Sequence, residues 1–141
     1  MIQKDELQAV NWVNFTDGHL VVVNNNGRVA TLVRQDFSDC QNTTVNTHNP
    51  SLNDGAVIVF RGADGKTYVK TVLEKGTPNT KYDFYLKCVK GLGSLTTDAK
   101  GKGVADFEFE TSIVGPEFAF DMYPGGAPLG NKFQSTTVKF N

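Results

Sequence analysis

Six aspartates at or near turns are the side chains best placed by type to do chemistry. Asp17, Asp54 and Asp64 each precede a glycine, and Asp36, Asp39 and Asp98 lie in polar stretches between apolar runs. Calcium takes roughly six to eight oxygen ligands, several of them converging carboxylates. Asp36, Asp39 and Asp54, which lie toward the ends of the long segment 35–55, form the candidate calcium set. The competing reading is that each aspartate caps its own bend by accepting from nearby backbone. That reading is the stronger one, because each stands nearly alone in its turn. The segment "TTDAKGKG" raises a similar choice between a phosphate cradle and a bend. A phosphate loop feeds a helix whose N-terminal amides hold the anion. Here the strand-like "VADFEFE" follows, and "GLGSLT" likewise precedes no helix. Both are read as hairpin segments, and no cofactor is expected beyond the calcium option.

His19 and His48 are the only histidines. Neither has a second histidine at metal spacing. A nucleophile would need one of them as its base. Asp106, Glu108 and Glu110 could supply a carboxylate pair, but they alternate along an open face that offers a general acid no desolvation. A small hydrolase or isomerase with a cavity therefore stays an alternative. Aromatic rings with a polar handle can stack on sugars. Trp12, Tyr85 and Tyr123 are the candidate ligand-binding residues, with Tyr68 a further exposed aromatic. For Trp12 the competing role is core. Asn14 in "NFT" and Asn42 in "NTT" match the glycosylation sequon. Cys40 and Cys88 either pair, closing a loop of about 49 residues for roughly 4 kcal/mol in the chain-entropy model, or remain separate thiols. They stand too far apart for a metal motif.

The elements that must position these residues are strands. In "VADFEFET", Ala105, Phe107 and Phe109 share one face, and Asp106, Glu108 and Glu110 the other. Period two marks a strand with one buried and one wet face. "KYDFYLKCV" puts Tyr82, Phe84, Leu86 and Cys88 inward, with Asp83, Tyr85 and Lys87 outward. "EFAFDM" does the same with Phe118, Phe120 and Met122, and "STTVKF" with Thr136, Val138 and Phe140. "HLVVV" and "AVIVF" read as central strands covered on both faces. "NFTDGHL", "NNNG", "GADG" and "DAKGKG" are turn signals. The spacing predicts strands over 7–15, 19–24, 28–34, 56–61, 67–73, 81–89, 93–97, 104–111 and 117–123, with a further one over 133–140. The expected fold is all-β: one domain over 1–141, an antiparallel β-sandwich of about eight to ten strands with Greek-key or jelly-roll connections. Segments 35–55 and 123–132 are the irregular loops.

The chain has 141 residues and a formal net charge of −1. Without clustered positive charge, nucleic acid is not an expected partner. No apolar run reaches the roughly 20 residues of a membrane helix. An outer-membrane barrel would turn its acids toward lipid. The N-terminal "MIQKDELQAVNWV" lacks the basic start and apolar centre of an export signal, so the protein is either intracellular or begins after a removed leader. Frequent Asn and Thr, as in "NTTVNTHNP", favour an exported protein.

The stretch "GTPNTKYDFYLKCVKGLGSLTTDAKGKGVADFEFE", about a quarter of the chain, resembles immunoglobulin-like and fibronectin-like sandwich modules of exported bacterial proteins. There a proline-led turn enters a strand through a tyrosine, and a Thr-Asp-x-x-Gly hairpin follows. The matching residues are Pro78, Thr80, Tyr82, Thr97, Asp98 and Gly101. Gly76 stands where fibronectin-like domains carry leucine. The resemblance implies a sandwich fold, which by itself hosts many functions. The expected role is a non-catalytic binding or structural module, extracellular or at the cell surface, recognising protein or carbohydrate. Strand edges are the expected route to a homo-oligomer.

Overall fold

The computed structural model describes residues 11–14, 20–23, 27–36, 40, 45 and 49–140, with 11–14 and 20–23 as backbone. Strands β1 (Asn11–Asn14) and β2 (Leu20–Val23) form a two-stranded ribbon that places Trp12 opposite Val22. The main sheet comprises β3 (Arg28–Arg34), β4 (Asn53–Arg61), β5 (Lys66–Leu73), β6 (Lys81–Leu86), β7 (Lys90–Thr96), β8 (Gly103–Glu110), β10 (Phe120–Pro124) and β11 (Phe133–Ser135). Strands β9 (Glu117–Phe118) and β12 (Val138–Lys139) pair as a second ribbon. Among the described residues there is no α-helix, only two 3₁₀ turns.

All neighbours in the main sheet are antiparallel, in the order β7-β6-β10-β11-β3-β4-β5-β8. The consecutive strands β6, β7 and β8 return beside β5, a Greek-key arrangement. The expected two stacked layers are instead one sheet that curls into a nearly closed barrel. Alternation specifies which side chains face inward, and it is the same for a sandwich and a barrel. It carries no information on which strands share hydrogen bonds.

The inward face fills the interior, as a barrel of about eight strands requires. Leu32, Val57, Val59, Val69, Leu73, Tyr82, Phe84, Leu86, Phe107, Phe109, Phe120, Met122 and Phe133 are buried in one cluster. Glu108 and Glu110 face solvent, and Asp106 is half-buried. Phe118, expected inward, is half-buried and packs edge-on against Phe109 and Phe120. At this end β12 brings Phe140 across the opening, with the Arg28 and Arg61 guanidinium carbons 4.8 and 4.4 Å from its ring centroid.

The two edge strands, β7 and β8, lie side by side at the seam. Phe107 on β8 reaches across β7 to stack on Phe84 of β6, centroids 4.4 Å apart and planes 2° apart. Gly93 makes this passage. It sits at φ +150°, and a Cβ there would lie 2.9 Å from the Phe107 ring. A register shift between Phe84 and Tyr85 sets Leu92 aside as the extra residue.

The end opposite Phe140 is held by the residues that carried the resemblance. The Tyr82 hydroxyl accepts from the Thr77 N–H at 2.8 Å and donates to Asn131 Oδ1. A tyrosine bonded to backbone a few residues upstream is the tyrosine-corner arrangement of Greek-key proteins. Thr97 Oγ1 accepts from the Thr80 N–H at 2.9 Å and donates to the Thr77 carbonyl. Asp98 Oδ1 accepts from the backbone of Lys100 and Lys102, at 2.8 and 3.0 Å. Those N–H groups, Lys102 first, hold the Asp98 carboxyl below its ordinary range. "TTDAKGKG" is thus the bend between β7 and β8.

Gly101 sits in this bend at φ +81°, and a Cβ on it would collide with the Gly76 carbonyl oxygen. The Gly76 N–H in turn donates to the Gly101 carbonyl at 2.8 Å. Gly101→Ala is expected to destabilise the fold by about 1–3 kcal/mol. Urea midpoints of the two proteins, at unchanged slope, measure it.

Candidate functional site

The outer face of β6 and β10 carries a checkerboard of tyrosines and aspartates. Tyr85 pairs with Asp121, and Asp83 with Tyr123. Alternation along each strand puts all four side chains on the face away from the core. The diagonal neighbours Tyr85 and Tyr123 stack, with ring centroids 5.0 Å apart and planes 24° apart. Both rings are half-buried. Burial pushes the Tyr123 phenol up, and Tyr85, Asp121 and Asp83 add to the shift. The phenol therefore stays neutral and can both donate and accept.

The pair lines an open cleft of about 520 Å³. One wall is Gln35, Asp36 and Cys40, from segment 35–55. The other is Ala127 and Lys132, from the segment between β10 and β11, while Lys90 and Gly91 of β7 complete the rim. The volume lies in the range of small-ligand sites, and aromatic surface ringed by a few polar groups is their usual make-up. Residues of the two irregular segments, 35–55 and 123–132, therefore flank one cleft.

The cysteines are joined. Cys40 and Cys88 form a disulfide with Cα atoms 5.6 Å apart, and both line the cleft. The expected strand 81–89 stops at Leu86. Cys88 lies in the following turn, exposed, at φ 59°, rather than facing inward. Lys87, expected toward solvent, is buried, and its ammonium donates to Gln134 Oε1 at 3.1 Å.

Two of the candidate calcium residues, Asp36 and Asp54, have partners within the chain. Asp36 Oδ1 accepts from the Gly130 N–H at 2.6 Å, which ties the two cleft walls together. Asp54 belongs to β4 rather than to a turn. Its carboxylate is fully buried, 2.7 Å from Arg34 Nη2. Asp39 lies outside the described residues. Among the described residues no three His, Cys, Asp or Glu side chains gather as a metal site. The Trp12 side chain, His19, His48 and Asn42 also lie outside the described residues. Asp64, as a turn residue, accepts from the Lys66 N–H at 3.1 Å and from the Tyr68 hydroxyl at 2.5 Å.

Of the three candidate aromatics, the structure brings Tyr85 and Tyr123 together. It adds Asp121, Lys90, Lys132 and Gln35, which sequence reasoning missed. Asp121 was detectable, since "FDMY" alternates and so puts Asp121 and Tyr123 on one face. The others depend on which loops meet. Among the described residues no helix is long and apolar enough to cross a membrane. No family model matches the chain, and no curated protein is significantly similar to it.

Proposed function

We propose that this chain is a non-catalytic binding module that seats a carbohydrate on the Tyr85–Tyr123 pair. The observation that carries the reading is the stacked pair itself, half-exposed in a cleft rather than buried in the core. The apolar face of a sugar ring gains by covering aromatic surface, while its hydroxyls need donors and acceptors. Asp121, Lys90, Lys132 and the tyrosine hydroxyls supply both. Both tyrosines stand on the paired strands β6 and β10, so little ordering is needed on binding.

The module works outside the cell or at its surface. The Cys40–Cys88 disulfide supports an oxidising compartment. The tyrosine corner and the Thr97–Asp98 hairpin support kinship with immunoglobulin-like and fibronectin-like modules, the curled sheet being a variation on their sandwich. Since β7 and β8 adjoin one another, homo-oligomers through strand edges would use the two small ribbons.

The test is titration with oligosaccharides from a glycan array, followed by heteronuclear NMR. Tyr123→Ala is expected to weaken the best ligand at least about tenfold, a loss of about 1.4 kcal/mol, with the melting temperature nearly unchanged. Shifts confined to residues around Tyr85 and Tyr123 support the reading. A blank array, or binding indifferent to Tyr123→Ala, sinks it.

A further inference from the structure

Positions 85, 121, 134 and 33 form one row across four adjacent strands, on the barrel's outer face. Tyr85 pairs with Asp121, Asp121 with Gln134, and Gln134 with Val33. The end of the row away from the cleft is covered, with Gln134 and Val33 fully buried. Lys87 follows Tyr85 by two residues. Its backbone N–H donates to the Ala119 carbonyl at 2.9 Å, so its stem starts just beyond Asp121. From there it runs to Gln134, and its Nζ lies 3.1 Å from Oε1. A primary amine and a carboxamide are thus held together out of water. By strand register, the Asp121 carboxylate rises from the same face as Gln134.

We propose that Lys87 and Gln134 are a self-modification site, where the lysine amine displaces ammonia from the glutamine side chain to leave an Nε–Cδ amide cross-link. The neutral amine attacks Cδ of Gln134, and a C–N bond forms. The Cδ–Nε2 bond then breaks, and nitrogen leaves as ammonia carrying a proton that came from Nζ. Atoms and charges balance, with no oxidant or cofactor. Asp121 is the carboxyl group whose register suits it to pass that proton from the amine to the leaving nitrogen. Bound proximity replaces a bimolecular encounter, and well-oriented intramolecular partners reach effective molarities of roughly 10⁵ M or more. The cross-link would tie the β6–β7 corner to β11. The neighbouring residue, Cys88, already ties that corner to Cys40.

Intact mass spectrometry of the purified, disulfide-bonded protein tests this. The expected mass is about 17 Da below that of the chain, after allowing for the disulfide, because ammonia is lost. A tryptic digest should contain a branched peptide joining the segments around Lys87 and Gln134. Asp121→Asn should remain folded, by circular dichroism, and lose most of the mass shift. Lys87→Met should lose all of it. A full-mass wild-type chain that stays so through prolonged incubation overturns the proposal, and that measurement needs no variant to fold. A mass loss without the branched peptide overturns it equally. An unchanged shift in Asp121→Asn removes Asp121 from the reaction, and the branched peptide then still establishes the cross-link.

Discussion

Arg34→Met is expected to destabilise the fold by about 3–5 kcal/mol, because it strands a buried carboxylate. Asp54 is fully buried and its ion-pair partner is Arg34, with Nη2 2.7 Å from Oδ2. The other carboxylate oxygen has no hydrogen-bond partner among the described residues. The pair is asymmetric, since the Arg34 side chain is 39% exposed. Its guanidinium also donates to the Lys75 carbonyl at 2.9 Å and lies over the Phe133 ring. Asp54→Leu leaves a cation that water can reach, so it should cost less than Arg34→Met. The double variant Arg34→Met/Asp54→Leu should recover most of the loss, because an apolar pair avoids desolvating charge. Equilibrium urea unfolding of the four proteins measures the cycle. Equal losses in the two single variants would contradict the asymmetry.

Phe84→Ala should cost about 3–5 kcal/mol through lost burial and the cavity left behind. Phe84 is fully buried between Phe107 and Phe120, at centroid distances of 4.4 and 5.2 Å. It is also what Phe107 grips across the seam, so the loss reaches β8. Phe107→Ala, at a position slightly exposed to solvent, should cost less because water can enter the gap. Hydrogen exchange reads the difference. In Phe84→Ala, amides of both β7 and β8 should exchange faster than those of β4. Uniform acceleration across the sheet would mean that the seam has no separate stability.

Strand positions were legible because the alternation of Phe and Asp or Glu is a direct imprint of a half-buried pleat. β3 runs over the expected 28–34, and β8 differs from its expected span by one residue at each end. Asp54 misled for a physical reason. Asp-Gly has the same appearance in a bend as in a strand whose carboxylate meets a distant arginine. Cys88 misled because alternation was extended past Leu86, where the chain turns. Tyr85 was read correctly as facing away from Phe84 and Leu86. That Tyr123 would stack on it depends on β6 lying beside β10, and nothing local to either strand encodes that neighbour.

The pairing of β11 with β3 has a kinetic meaning. Leu32 opposes Ser135, and Val33 opposes Gln134. The hairpins β4–β5 and β6–β7 can form from nearby chain, yet the cylinder stays unsealed until its last strand arrives from the far end of the sequence. Topologies dominated by such distant partners fold slowly, on the order of milliseconds to seconds. Until then, the rows of phenylalanine remain open to water and to other nascent chains.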